Sequence, residues 1–219
     1  MSKGSAFIIG VGPGLGLALA RASAGDGHPV ALFGRSAERL ETYAAGLAAD
    51  GGTARAYPAD AADPEGLRTA LVRAAEEMGA PELLVYNAAL LVPDTPTGQD
   101  ARGFAHTLAV NVTGAMVAAR TVLPLLAEGR GSLLFTGGAL ALDPSPEYTS
   151  LSVGKAALRA YAQTLHRQQQ GSGVHVTTVT IGGHIDGDDP RFASPALAAA
   201  YLKLHRQPRE QWQAELLYT

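Results

Sequence analysis

Cysteine is absent from the 219-residue sequence, which excludes a disulfide framework and a thiolate nucleophile. The six histidines do not occur at the short spacings of metal-binding motifs, so we expect no metal site. Positive charge is also scarce, because 17 Lys and Arg face 20 Asp and Glu and leave a net charge of −3. This balance excludes a nucleic-acid-binding protein that works through bulk positive charge, and we expect no nucleic-acid partner.

Two further absences concern membranes and linkers. The N-terminus runs into a strand-like apolar stretch of only four residues, which is far too short to span a bilayer and has no signal-peptide core. We therefore expect a soluble, cytoplasmic protein without a membrane partner. No segment rich in Pro, Gly and Ser separates two patterned halves, and hydrophobic residues make up 47% of the chain. This composition predicts a large core and a single domain over residues 1–219.

Short apolar runs without the alternation of half-exposed strands predict buried parallel strands. The predicted strands are residues 6–9, 30–33, 83–86, 133–135 and 174–181, with a weaker strand at 53–57 and a closing strand at 214–218. Segments with helical spacing lie between them, at residues 15–24, 37–49, 64–78, 104–126, 146–169 and 195–205. Ser36 and Asp63 are expected N-caps, and Ser145 is expected to cap the helix that begins at Pro146. Strands joined by helix-length crossovers predict a doubly wound α/β fold, with about seven parallel strands and helices on both faces.

A glycine-rich loop connects the first predicted strand to the first helix. Gly10, Gly14 and Gly16 have the spacing G-x-x-x-G-x-G. Without side chains, such a loop lets backbone N–H groups and the positive helix end approach a pyrophosphate. We expect Gly10, Gly12, Gly14, Leu15 and Gly16 to bind a dinucleotide. A plain glycine-rich turn before a helix is the alternative interpretation.

Further motifs follow in order along the chain. They are Asp60 after the third strand, Asn87-Ala88-Ala89 after the fourth, Asn111 in the long helix, and Gly154-Lys155-Ala156-Ala157-Leu158 in a later helix. With this glycine spacing, the sequence resembles the short-chain dehydrogenase/reductase family over nearly its whole length. The resemblance implies a Rossmann-type fold, with Asp60 binding the adenine amino group and Asn87, Ala88 and Ala89 lying against the adenosine ribose. The alternatives are a turn or capping carboxylate for Asp60, and a residue that joins two strands for Asn87.

The residues after the second strand indicate which dinucleotide binds. About 20 residues beyond the glycine loop, an NAD enzyme usually presents an acid to the ribose 2′-hydroxyl, and this chain has Arg35 there. A guanidinium can pair with a 2′-phosphate, and the Ser36 hydroxyl can add a hydrogen bond. We therefore expect NADP(H) as the cofactor. A solvated loop arginine is the alternative.

The resemblance also implies an active site that is incomplete here. The family uses a Tyr as proton donor, a Lys four residues later that lowers the pKa of the phenol, an upstream Ser, and a helix Asn that holds a water. Lys155 and Asn111 are present, but Leu151 stands at the Tyr position and Gly138 at the Ser position. The chain is therefore an atypical member by resemblance, and ordinary carbonyl reduction is in doubt.

Two residues could supply a proton instead. Tyr148 shares a helical face with Lys155 if both are helical, although two turns separate them by roughly 10 Å along the axis. His184 follows Gly182 and Gly183, which stand where the family has a Pro-Gly turn against the nicotinamide. Gly183 is thus expected at the cofactor, and His184 is a weaker candidate for proton transfer near neutral pH. The alternatives are a packing or pocket-lining tyrosine and an exposed or structural histidine.

Two functions remain after this reading of the sequence. One is an NADP(H)-dependent oxidoreductase that transfers hydride to a small carbonyl or imine substrate with a non-standard proton source. The other is a noncatalytic NADP(H)-binding sensor or scaffold, consistent with Leu151 and Gly138. Small residues on the helices at 104–126 and 146–169 also suggest a homodimer or homotetramer, unless those residues pack against their own sheet.

Overall fold

Seven parallel strands form a single sheet in the structure, a computed structural model that describes residues 3–126 and 131–219. The strand order is β3-β2-β1-β4-β5-β6-β7. The strands are β1 Ser5–Ile9, β2 Val30–Gly34, β3 Ala54–Pro58, β4 Pro81–Tyr86, β5 Gly131–Thr136, β6 Val174–Ile181 and β7 Glu215–Tyr218. The order reverses between β1 and β4, which is where a doubly wound sheet opens a ligand-binding crevice. The predicted Rossmann-type α/β fold is confirmed.

Helices occupy the crossovers between these strands. They are α1 Leu15–Gly25, α2 Ala37–Ala49, α3 Pro64–Met78, α4 Ala101–Leu108, α5 Gly114–Val122, α6 Thr149–Gln168 and α7 Ser194–His205. The Ser36 side chain accepts a hydrogen bond from the Arg39 N–H, and Asp63 accepts one from the Gly66 N–H. Both N-cap predictions are therefore confirmed. Each cap could be predicted because it is a local interaction within four consecutive residues.

The sheet separates two hydrophobic core layers. One layer holds α1 and α7 side chains such as Leu19 and Leu197 against Ile8 and Leu32. On the other face, α3 and α5 pack against the alternate strand residues, including Phe33. The central strands are buried along their whole length because both faces are covered, which explains their continuous apolar sequence.

The long helix predicted at residues 104–126 has a more complex form. It begins at Ala101 because the Asp100 carboxylate accepts a hydrogen bond from the Gly103 N–H, at 2.8 Å. A π-helical segment, Ala109–Thr113, joins α4 to α5, and a 3₁₀ turn follows over Leu123–Leu125. By length and composition alone, Ala101–Leu125 could cross a membrane, with a mean hydropathy of 1.4. On α5, Ala115, Ala118, Ala119 and Val122 are buried in the core, whereas Met116 is 41% exposed. Only 39% of the apolar stretch is buried inside the chain, so core packing accounts for part of this composition.

The start of α6 differs from the prediction. The helix begins at Thr149, with Tyr148 as the residue before it, and Ser145 does not cap it. The Ser145 hydroxyl accepts a hydrogen bond from the Glu147 N–H in a local turn. The cap comes from Asp94, whose carboxylate accepts from the Ser150 N–H at 3.0 Å. A partner 56 residues away replaces the predicted local cap.

An ion pair fixes the last strand to the sheet. Arg159 on α6 donates two hydrogen bonds to the Glu215 carboxylate on β7, at 2.7 and 2.5 Å. The Thr180 hydroxyl on β6 donates a third, at 2.6 Å. The pairing with Arg159 is the main cause that holds the pKa of Glu215 below its usual range. These contacts explain how a strand of only four residues keeps its register.

Candidate active site and cofactor cleft

A cleft of about 830 Å³ lies at the carboxyl ends of the strands on both sides of the switch point between β1 and β4. Its lining includes residues from the ends of β1, β4, β5 and β6, and from the loops that follow them. The lining residues predicted from the sequence are Gly10, Gly12, Leu15, Arg35, Asp60, Asn87, Ala88, Gly138, Leu151, Lys155, Gly183 and His184. This volume falls in the range of small-molecule and cofactor sites.

The glycine loop has the shape that close approach of a phosphate requires. Gly10 has φ +89°, and a Cβ there would overlap the Ala88 backbone. A Cβ on Gly16 would overlap the Gly10 carbonyl, so this glycine lets α1 pack against the loop. Gly12 has no atom within 4 Å of its Cβ position. The backbone of Gly12 is therefore open to a ligand, and no side chain caps the N-terminus of α1. Both features fit the binding of a pyrophosphate at this helix end.

The predicted loop residues divide into two groups. Gly10, Gly12 and Leu15 line the cleft, whereas Gly14 and Gly16 are not among its lining residues. The Cβ position of Gly14 is 3.2 Å from an oxygen of Asp186, a residue of the loop after β6. Asp186 accepts two hydrogen bonds from Ser194 at the start of α7, at 2.7 and 2.6 Å. The loop after β6 is thereby held next to the glycine loop.

The adenosine end of the cleft contains Arg35 and Asp60. Arg35 is exposed and lines the cleft. Ser36 is not among the lining residues, and its hydroxyl oxygen accepts a hydrogen bond from the Arg39 N–H at the start of α2. Asp60 lines the cleft while one carboxylate oxygen accepts from the Ala62 N–H at 2.9 Å. Asp60 therefore acts as a turn carboxylate, which was the alternative interpretation of the sequence, and also lines the cleft.

Asn87 joins the ends of three strands. Its side chain donates to the Gly10 carbonyl at 3.0 Å and accepts from the Thr136 hydroxyl at 3.1 Å. The Thr136 hydroxyl in turn accepts from Tyr201, at 2.9 Å. The structural role considered for Asn87 is therefore present, and it fixes the conformation of Gly10. Ala88 lines the cleft beside it.

Lys155 is the principal titratable group within the cleft. Its ammonium donates to the Thr136 carbonyl at 2.7 Å, and only 8% of the residue is exposed. Burial lowers the pKa of Lys155 to about 8, because the charged form loses hydration. The Leu151 side chain, one helical turn earlier, is buried and lines the same cleft. A Cβ on Gly138 would lie 4.0 Å from Cε of Lys155 and meet nothing closer.

Asn111 occupies the π-helical segment and is 1% exposed. Its side-chain oxygen accepts from the Leu90 N–H at 2.7 Å, and its side-chain nitrogen donates to the Leu90 carbonyl at 3.2 Å. The side chain thus holds the loop after β4, which lines the cleft through Leu90 and Leu91. A Cβ on Gly154 would lie 3.0 Å from Cβ of Asn111, so glycine allows α6 to approach this segment.

Tyr148 is not among the residues that line the cleft. It contributes instead to a separate hollow of about 360 Å³, together with Asp94 and Glu147. Its backbone pairs with Asp94 ahead of the first turn of α6, so it is not helical. The helical geometry considered for Tyr148 and Lys155 is therefore wrong. The structure does not bring Tyr148 and Lys155 into one pocket.

The loop after β6 brings a histidine to the cleft. A Cβ on Gly183 would overlap the Phe192 ring, so glycine is required for this turn to pack. His184 is exposed and lines the cleft. Two further residues were not singled out from the sequence. His106 lines the cleft from α4, and Tyr201 lies fully buried on α7 with its hydroxyl on Thr136. Only a tyrosine in an otherwise alanine-rich helix marks Tyr201 in the sequence.

Comparisons with known proteins agree with this geometry. The family model for short chain dehydrogenase matches residues 5–185. A 2,3-dihydro-2,3-dihydroxybenzoate dehydrogenase from Bacillus subtilis is 32% identical over 161 residues, which are 73% of this chain and 62% of the relative. The matched region thus spans less than two thirds of the length of that relative.

Two solved structures are similar over almost the whole chain. A short chain dehydrogenase from Burkholderia cenocepacia, in complex with NADP, is 29% identical, with a TM-score of 0.87 and coverage of 98% of this chain and 95% of the other. A dehydrogenase/reductase from Sinorhizobium meliloti is 26% identical, with a TM-score of 0.89 and coverage of 99% and 93%. This chain belongs to the short-chain dehydrogenase/reductase family of oxidoreductases.

Proposed function

We propose that this protein is an NADP(H)-dependent reductase that transfers hydride to a small carbonyl or imine substrate. The observation that carries the proposal is the position of Lys155, which is buried in one wall of the cleft and donates a hydrogen bond to the Thr136 carbonyl. A buried, desolvated lysine inside a cleft is a candidate catalytic residue, which favours the reductase over the nucleotide sensor. We also expect a cytoplasmic location and a small-molecule substrate.

The preference for NADP(H) over NAD(H) rests on Arg35. This side chain is exposed at the cleft, and the structure gives it no ion pair among the described residues. Its guanidinium is therefore available to a 2′-phosphate. The Burkholderia relative described in complex with NADP supports the same cofactor. Ser36 adds less support, because it is not among the residues that line the cleft.

Lys155 is also our proposed proton source. When bound, NADPH supplies a hydride to the substrate carbon. Reduction of a carbonyl then needs one proton at the substrate oxygen, and the Lys155 ammonium can donate it. The neutral amine regains its proton from solvent. A lysine with a pKa of about 8 is a competent acid at neutral pH, whereas an ordinary lysine is a much weaker one.

His184 is a second candidate acid, since it lines the cleft, whereas Tyr148 contributes to a separate hollow and is not retained as an acid. An iminium substrate would need no acid, because hydride addition gives a neutral amine. The alternative function, a noncatalytic NADP(H) sensor or scaffold, is supported by Leu151 and Gly138, which leave the phenol and hydroxyl positions of the family apolar.

The primary test measures NADPH and NADH consumption with ketones, aldehydes, imines and activated alkenes. We expect turnover with NADPH, and a loss of at least 100-fold in Lys155→Ala. The matched control is Lys203→Ala, an exposed lysine on α7 outside the cleft. If Lys155 is the acid, the rate with a carbonyl substrate falls as the pH rises above about 8. Tight NADPH binding with no turnover across the panel would favour the sensor.

The role of Arg35 has a separate test. Arg35→Ala should weaken NADPH binding by about 10- to 100-fold and leave NADH binding unchanged, because only NADPH carries the 2′-phosphate. Arg39→Ala is the control, since Arg39 is an exposed arginine on α2 that does not line the cleft. An equal loss for both cofactors would contradict recognition of the 2′-phosphate by Arg35.

A further inference from the structure

Three potential metal ligands meet at the amino-terminal edge of the sheet, opposite the cleft. They are His28 from the loop before β2, Glu82 near the start of β4, and His205 at the end of α7. One potential ligand atom from each lies within 4.8 Å of the others. His28 and Glu82 are buried and His205 is half-buried. Among the described residues, no other group of three such side chains comes together in this way.

His28 presents a lone pair to this cluster. Its Nδ1 atom lies 2.7 Å from the Gly4 carbonyl, and a carbonyl only accepts, so Nδ1 carries the proton. The Nε2 atom of the neutral ring is then an acceptor. It is buried and has no hydrogen-bond partner, although the whole residue is only 2% exposed. A backbone carbonyl on Nδ1 and an Nε2 that makes no hydrogen bond are the usual arrangement of a metal-binding histidine.

His205 and Asp26 complete the surroundings of the cluster. His205 contacts the Ser132 hydroxyl through Nδ1, at 2.9 Å, and its ring lies 5.3 Å from the His28 ring. The Asp26 carboxylate is 3.5 Å from Nε2 of His28 and also binds Lys3 and Arg206. We do not count Asp26 as a ligand, because its oxygens already bind these two cations.

We propose that His28, Glu82 and His205 form a site for a divalent transition metal, with zinc as the expected ion. Two imidazoles and one carboxylate are a ligand set that zinc accepts, and water can fill a fourth position. Sequence spacing predicted no metal site because these three residues are 54 or more positions apart in sequence. The fold alone brings them together.

The geometry requires only a small closure around the ion. Tetrahedral bonds of about 2.0–2.1 Å place ligand atoms about 3.3 Å apart, so side chains within 4.8 Å must move by about 1.5 Å or less. His175 provides a useful contrast within the same chain. Its Nε2 is also buried without a partner, but its ring stacks on Trp212 and it belongs to no such cluster.

The test titrates the full-length protein with zinc sulfate against a chelating dye. We expect one zinc per chain, with affinity lowered at least 10-fold in Glu82→Gln and at least 100-fold in His205→Gln. Zinc at 100 times its dissociation constant should raise Tm by about 5–10 °C. The control is a His106→Gln, His184→Gln double variant, which removes the two histidines that line the cleft and should leave zinc binding unchanged.

Two results would overturn the proposal. One is the absence of stoichiometric zinc binding at micromolar concentrations, and the other is binding that survives His205→Gln but disappears in the His106→Gln, His184→Gln variant. If His205→Gln does not fold, X-ray absorption on the zinc-loaded native chain decides instead. Two imidazole ligands per zinc support the site, and fewer than two contradict it.

Discussion

The buried ammonium of Lys155 donates a hydrogen bond to a neutral carbonyl, and its burial makes the stability of the folded chain depend on pH. Its pKa falls from 10.5 to about 8 on folding, because burial disfavours the charged form. Between these two pH values the unfolded chain binds more protons than the folded chain. Stability therefore rises with pH across this window, and the cost of the buried charge is fully present below pH 8.

A substitution at this residue isolates the effect. Lys155→Met removes the titrating group and keeps a similar volume. We expect the stability of the native chain relative to Lys155→Met to increase, by on the order of 3 kcal/mol, as the pH rises from 8 to 10.5. Urea unfolding at intervals across this range measures the difference. If both proteins show the same pH dependence, Lys155 is not desolvated.

The vacant catalytic positions at residues 138 and 151 give a second prediction. A serine at position 138 has room, since Lys155 is the nearest group and lies 4.0 Å from the added Cβ. Leu151 lines the cleft one turn before Lys155, so a tyrosine there would bring a phenol beside the ammonium. We expect Gly138→Ser with Leu151→Tyr to raise ketone reduction by about 10²-fold or more. The control is Gly138→Ser with Leu151→Phe, which has the same ring without the hydroxyl, and an equal rate in both variants would contradict the role of the phenol.

Among the structural elements, the π-helical segment Ala109–Thr113 has the clearest function. It contains Asn111, whose two hydrogen bonds to Leu90 hold the loop that forms one wall of the cleft. Asn111→Ala leaves both backbone groups of Leu90 without a partner in a half-buried position. We expect a loss of about 2–4 kcal/mol in the free energy of unfolding.

Chemical denaturation measures this loss. Arg120→Ala is the control, because Arg120 is exposed on α5, and its substitution should change stability by less than about 0.5 kcal/mol. A similar small effect for Asn111→Ala would show that water replaces the amide without cost. Its effect on NADPH consumption should exceed that of Arg120→Ala, because the cleft wall loses its support.

How well the sequence predicts the structure also differs from element to element. The strands and the Ser36 and Asp63 caps could be predicted because each depends on neighbouring residues. The start of α6 could not, since Asp94 caps it from a distant loop. The π-helical segment has no local signal either. In the site, Lys155 and Arg35 were found by motif and position, whereas the hydrogen bond from Tyr201 to Thr136 depends on how α7 packs on the sheet.

Helix α7 connects the carboxyl ends of the strands, where the cleft lies, to their amino ends, where the proposed metal site lies. Its first residue, Ser194, binds the loop beside the glycine loop, and Tyr201 supports the network under the cleft. Its last residue, His205, belongs to the proposed metal site. The helix has 12 residues and is therefore about 18 Å long, so one rigid element reaches both regions.

The small residues on the two long predicted helices suggested that the protein forms a homodimer or homotetramer. On α5, Ala115, Ala118 and Ala119 are fully buried in the chain's own core, so the alternative of internal packing holds for them. On α6, Ala156 and Ala160 are exposed. The two alanines of α6 are therefore available to a contact between chains, whereas the three alanines of α5 are not.

Three exposed residues form a stripe on α6, namely Val153, Ala156 and Ala160, which lie on one helical face by their spacing of three and four. Val153 is 42% exposed, so its apolar side chain is available to a contact between chains. We expect the protein to sediment as a homodimer or homotetramer of its 22.5 kDa chain. The double variant Val153→Glu, Ala160→Glu should sediment as a monomer, because it would bury two carboxylates opposite their copies across a twofold axis. Ala45→Glu, on the exposed face of α2, should not change the sedimentation. A native chain that sediments as a monomer at tens of micromolar would show that the α6 stripe faces solvent.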